Sequence, residues 1–189
     1  MQRIIGSLVF TKINSPHHKE RYDLVSEQVE IPLLGGKAVA IDLNCSIEEI
    51  DEHEDEIAAT LANFLSMAPE RINDLKAHLF AFYQDFFLDV GDDLLDEMPY
   101  QENDENILDF ISLSRVTLSH SEQTKRCYVV VSGGCDWEIE HGLSVSFENG
   151  NRLVWVGEAS GDLYHTDAKG NVDTENLIYR GHFLSTKMA

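Results

Sequence analysis

Between Asp136 and Phe147 the chain alternates without a break. Trp137, Ile139, His141, Leu143, Val145 and Phe147 take one parity, and Asp136, Glu138, Glu140, Gly142, Ser144 and Ser146 take the other. Side chains on a strand point to opposite faces in turn, so this period predicts one long strand, apolar on one face and polar on the other. An antiparallel sheet with one wet face has this pattern. Glu148-Asn149-Gly150-Asn151 follows, and Asn-Gly is a strong short-range hairpin signal. The return strand is Arg152 to Val156. A two-residue turn pairs Val145 with Val154 and leaves Leu153 and Trp155 on the acidic face. A three-residue loop with a glycine bulge turns those two inward. The first is preferred, because it makes Trp155 an exposed aromatic beside acids, an arrangement common at interfaces.

The rest of the chain supplies the partners of this strand. Residues 2–13 and 22–33 read as strands, Leu34-Gly35-Gly36-Lys37 as a turn and Ala38 to Leu43 as a third strand, an N-terminal meander. Ser15-Pro16-His17-His18-Lys19 reads as a loop, its paired histidines lacking a third ligand nearby. The period changes at Ser46. Ser46-Ile47-Glu48-Glu49 fits a capping box, in which the serine hydroxyl and the glutamate three residues on satisfy free amides. Ile47, Ile50, Ile57, Leu61, Phe64 and Leu65 form a helical stripe, and Pro69 can start the next helix. Ile72, Leu75, Leu79, Phe82, Tyr83, Phe86 and Val90 continue to Gly91. Strands resume at Arg115 to Ser119 and Thr124 to Val131. The expected fold is therefore α+β in a single domain, 1–189. An antiparallel sheet, built of the meander and the C-terminal hairpins, has an acidic α-helical hairpin (within residues 46–111) packed on one face. Residues 164–189 read as a peripheral hairpin or loose tail.

Charge narrows the function. The chain has 34 Asp and Glu against 14 Lys and Arg, a formal net charge of −20. Residues 48–109 hold 19 of those acids and only two bases, Arg71 and Lys76. Such a surface repels nucleic acid and anionic lipid, so neither is an expected partner, and a basic protein is. An amphipathic helix pair must turn its carboxylates outward, either as a solvated face or as a docking surface. No apolar run approaches the ~20 residues that cross a bilayer. No leader-like segment is read at the N-terminus, and three cysteines without a paired framework fit reduced thiols. A cytoplasmic setting is expected.

Catalytic motifs are not found. A Cys135–His141 dyad fails because six residues along a strand span roughly 20 Å. His141 falls on the apolar face, as a core histidine. Asp89-Val90-Gly91-Asp92-Asp93 resembles a calcium loop but lacks its later ligands, and phosphate-cradling and nucleophile-elbow motifs do not occur. No catalytic residue, metal or cofactor is assigned. Asp136, Glu138 and Glu140 stand in one column, with α-carbons of neighbouring members about 6.7 Å apart. With Trp155 they are the candidate partner-binding residues. A metal-dependent hydrolase using the same three carboxylates is the alternative, and a structural or oligomerising module a third.

Cys135-Asp136-Trp137-Glu138-Ile139-Glu140-His141-Gly142-Leu143, with Asn149-Gly150 and Val156-Gly157 after it, resembles the signature of an uncharacterised bacterial domain family. Val29-Glu30-Ile31-Pro32-Leu33-Leu34-Gly35-Gly36 and the helix pair are similar to it more loosely, so the resemblance covers residues 22–163. It implies an α+β fold, a bacterial source and no residue of known role; Cys135, Trp137, His141 and Gly142 are its structural signature. The leading expectation, from the acids concentrated in residues 48–109, is a non-enzymatic acidic binding protein with a basic partner. Small acidic domains of this general kind resemble immunity proteins that neutralise basic toxins, which by analogy offers an immunity-type inhibitor as one form of it.

Overall fold

The computed structural model describes residues 2–14, 22–92 and 98–188. The paired histidines His17 and His18 lie outside them. The fold is α+β. Strands β1 (Gln2–Ile5), β2 (Leu8–Asn14), β3 (Tyr22–Ser26), β4 (Val29–Ile31), β5 (Lys37–Val39) and β6 (Ile41–Asn44) precede helices α1 (Ile47–Leu65) and α2 (Lys76–Val90). Then come β7 (Ile111–Ser121), β8 (Arg126–Cys135), β9 (Glu138–Glu148), β10 (Arg152–Glu158), β11 (Leu177–Arg180) and β12 (Ser185–Lys187). Eight strands form one sheet in the hydrogen-bonded order β1-β2-β3-β6-β7-β8-β9-β10, while β4-β5 and β11-β12 are separate two-stranded ribbons. No described helix is long and apolar enough to cross a membrane.

The N-terminal meander differs from its expectation in three places. Residues 2–13 are a hairpin rather than one strand, because Gly6 takes φ +58° and turns the chain between β1 and β2. Residues 22–33 break at Ser26, whose hydroxyl accepts the Ile41 amide, and Pro32–Leu34 closes as a 3₁₀ turn. β6 and β7 pair in parallel, Ile41 opposite Val116 and Leu43 opposite Leu118. Parallel neighbours need a long crossover, and residues 45–110 supply it.

Two compact units partition the chain. The first comprises residues 1–69, 115–130 and 147–152, the second residues 70–114, 131–146 and 153–189. In the first, the capping box forms as the sequence predicts: the Glu49 amide donates to Ser46 Oγ and the Ser46 amide to Glu49 Oε2. Ile50, Ile57, Leu61 and Phe64 bury the apolar stripe of α1, and Phe64 packs against Phe147 with ring centroids 6.1 Å apart. Asn149 and Gly150 take φ 50° and 83°, as a two-residue type I′ turn requires. A Cβ on Gly150 would lie 2.1 Å from the Thr60 carbonyl, so this turn sits directly on α1.

In the second unit α2 ends at Gly91 and buries Leu79, Phe82 and Tyr83. Phe82 meets Trp137 edge-on at 5.7 Å and Tyr179 at 5.4 Å. The C-terminal segment is tied rather than loose. The buried Asp85 carboxylate accepts the backbone amides of His182 (2.7 Å), Phe183 (2.7 Å) and Leu184 (2.6 Å).

Candidate functional site

The signature stretch does not fold as one alternating strand. β8 ends at Cys135, Asp136 and Trp137 form the turn, and β9 starts only at Glu138. Gly142 then takes φ +72°, and a Cβ there would lie 2.5 Å from the Gly133 carbonyl, so only glycine lets the two strands approach. Cys135 and Trp137 are buried, and Gly142 sits at this close approach.

His141 departs from its expected core position: its side chain is 61% exposed. Ile139, placed in the core by parity, is 68% exposed. Glu138, placed on the surface, is buried. A turn at Asp136-Trp137 and the unextended backbone at Gly142 interrupt the two-residue period, and each interruption resets which side chain faces inward.

Glu138 is occupied by its own turn. Its Oε1 accepts the amides of Glu140 (3.0 Å) and His141 (3.2 Å), and its Oε2 lies 3.0 Å from His141 Nδ1. Burial pushes the Glu138 carboxyl up, but the ring of His141 and the two amides outweigh that and hold it below its usual value. The carboxylate in turn raises the His141 imidazole. Donor atoms of Glu138, His141 and Glu158 lie within 4.8 Å of one another. Asp136 and Glu140, both exposed, do not join that group, so the three carboxylates of the column are not brought to one point among the described residues.

Trp155 is half-buried rather than exposed. Its Nε1 donates to Ser144 Oγ (3.1 Å), and its ring lies against His165 with centroids 4.4 Å apart. Leu153, on the same parity, is buried. Both faces of β9 beyond Gly142 are therefore covered, and Ser144, Ser146 and Glu148 are all buried. Glu148 is paired with Arg126 and Arg152. The spacing that excluded a Cys135–His141 dyad assumed an unbroken strand and does not survive the turn at Asp136-Trp137. Burial, which pushes the Cys135 thiol up to about 12, and the engagement of His141 Nδ1 by Glu138 are what oppose it.

The acids of α1 behave differently. Seven of the nine residues from Glu48 to Glu56 are acidic. Glu48, Asp51, Glu52 and Asp55 are exposed, and Arg3 pairs with Asp51 and Glu54. Like charges fall four residues apart at Glu48/Glu52, Asp51/Asp55 and Glu52/Glu56, each pair destabilising a helix by roughly 0.2–0.5 kcal/mol. Close by, α1 departs from helical geometry at His53 (φ −119°, ψ 20°), and that ring stacks on His120 of β7, centroids 4.1 Å apart. Neither histidine stands out in the sequence. His53 follows Glu49 by four residues and precedes Glu56 by three, but in a helix with seven acids in nine residues that spacing marks nothing, and His120 is distant in the chain.

The chain belongs to the family described as Domain of unknown function (DUF6985), whose model matches residues 9–163. The match begins upstream of the stretch that carries the resemblance in sequence and ends at the same residue. No curated protein and no solved structure matches the chain.

Proposed function

We propose that this domain is a non-enzymatic binding protein that uses the acidic face of α1 to hold a basic protein, as an immunity-type inhibitor holds a basic toxin. The observation that carries this reading is the exposed run Glu48, Asp51, Glu52 and Asp55. Its mutual repulsion opposes the helix, and a cationic partner relieves it. Solubility alone does not call for so many acids within three turns, since net charge anywhere on the surface serves that end. The reading moves the contact surface from the signature strand to α1, because Glu138 and Trp155 are engaged internally while Glu48, Asp51, Glu52 and Asp55 are exposed.

The test is affinity capture from the native source, comparing the wild-type chain with a variant carrying Glu48→Gln, Asp51→Asn, Glu52→Gln and Asp55→Asn. The expected result is a basic protein retained at low salt by the wild type, released as salt rises, and lost by the variant. Retention by both chains, or no partner at any salt, overturns the proposal.

A further inference from the structure

We propose that His53, Glu56 and His120 form a binding site for a first-row transition-metal dication, flanked by Glu49 and Glu122. The starting observation is His120. Its side chain has no solvent exposure, and neither ring nitrogen has a hydrogen-bond partner. A neutral imidazole carries one donor and one acceptor, and leaving both buried and unsatisfied is costly. Buried polar atoms in that state ask for an explanation, and a bound ion is one. Trp137 Nε1 and Ser146 Oγ share the state, so it is the ligands gathered around His120 that set this ring apart.

The surroundings supply the other ligands. Donor atoms of His53, Glu56 and His120 lie within 4.8 Å of one another, and those of Glu49, His120 and Glu122 do so as well. Three atoms no more than 4.8 Å apart share a point at most about 2.8 Å from each (4.8 divided by √3). Metal–nitrogen and metal–oxygen bonds of roughly 2.0–2.2 Å then need donor shifts of under about 1 Å, together with a rotation of the two stacked rings that makes their in-plane lone pairs converge. Glu49, His53 and Glu56 are spaced four and three residues apart, which puts them on one side of α1. The break in helical geometry at His53 accompanies the stacking of its ring on His120.

Each carboxylate is also oriented from behind. Glu49 Oε2 accepts the Ser46 amide at 2.6 Å, Glu56 Oε1 accepts the Cys127 amide at 3.0 Å, and Glu122 Oε2 accepts from Lys125. Glu49 Oε1 and Glu122 Oε1 lie 3.8 and 4.0 Å from His120 Nδ1. Donors that hold one oxygen while the rest of the group faces a shared centre are the outer shell metal ligands need. Two imidazoles with carboxylate favour zinc, cobalt, nickel or iron over magnesium and calcium, which prefer all-oxygen sets. In the Glu138–His141–Glu158 group, by contrast, both oxygens of Glu138 are engaged: Oε1 accepts two amides and Oε2 faces the His141 ring.

The test is equilibrium dialysis of the chelator-treated full chain against zinc and cobalt(II), with visible absorption of the cobalt form. One equivalent of metal per chain is expected, undisturbed by a hundredfold excess of magnesium. His53→Gln and Glu56→Gln, on the half-buried side of α1, are each expected to weaken binding at least tenfold and to alter the cobalt spectrum. His141→Ala is expected to leave both unchanged. Absence of zinc and cobalt binding, wild-type affinity in both α1 variants, or loss of binding in His141→Ala overturns the proposal, and displacement by magnesium overturns the metal class.

Discussion

Removing the Glu138 side chain separates a contact residue from a folding element. In Glu138→Ala the amides of Glu140 and His141 lose their acceptor at 3.0 and 3.2 Å. Hydrogen bonds to a charged group contribute roughly 1.5–3 kcal/mol each. Residues 139–141 are exposed, so water re-solvates these amides and the low end applies. The ion pair with the exposed His141 ring is screened by solvent and adds little. The expected loss is about 3 kcal/mol for Glu138→Ala. Glu138→Gln keeps a neutral oxygen for both amides and should lose only about 1 kcal/mol. Urea denaturation at pH 7, followed by tryptophan fluorescence and far-ultraviolet circular dichroism, measures both. A Glu138→Ala protein within 0.5 kcal/mol of wild type, or a Gln variant as unstable as the Ala variant, would refute the assignment of Glu138 as the internal acceptor of its turn.

Four further outcomes are expected. Asp85→Asn replaces one acceptor oxygen of the three-amide clasp by an NH₂ group, and should cost about 1.5–3 kcal/mol while speeding hydrogen exchange at His182 to Leu184. Gly150→Ala should cost more than Gly161→Ala in thermal denaturation. Both have positive φ, worth roughly 1–2 kcal/mol, but only Gly150 also meets a carbonyl at 2.1 Å, whereas nothing lies within 4 Å of Gly161. The Glu138–His141 pair should stabilise most between pH 4.5 and 6.5. The lowered Glu138 pKa makes its share vanish as pH falls below 4.5, and the raised His141 pKa makes its share vanish as pH rises past 6.5. His141→Ala should therefore remove the alkaline limb of that profile in urea titrations. Cys127 and Cys135, both pushed up to about 12 by burial, should resist a thiol reagent at pH 8 in the native protein and react on unfolding.

Local signals translated directly into structure. Ser46 and Glu49 form their capping box, Pro69 opens a 3₁₀ segment (Pro69–Leu75) that leads into α2, and Gly91 ends it. Asn149-Gly150 makes its turn. Each depends on backbone chemistry within four residues. The Gly6-Ser7 turn also rests on local chemistry, the positive φ of Gly6, but the apolar residues on both sides made the segment read as one strand.

The long alternation from Asp136 to Phe147 shows the difference between the two kinds of information. By itself the sequence determined that a strand lies there, that a hairpin follows, and that the acids concentrate in the helical middle. Only the tertiary structure decided which faces are wet. Alternation specifies two sides and not what lies against them, and here Trp155 and His165 cover the polar side at Ser144 while a turn and Gly142 reset the parity before it. His120 shows the same limit more strongly. It lies 67 positions after His53, and a lone histidine among serines carries no local mark of burial. Its two unpartnered nitrogens exist only because the chain closes a strand end onto α1, a long-range contact that no short-range pattern encodes.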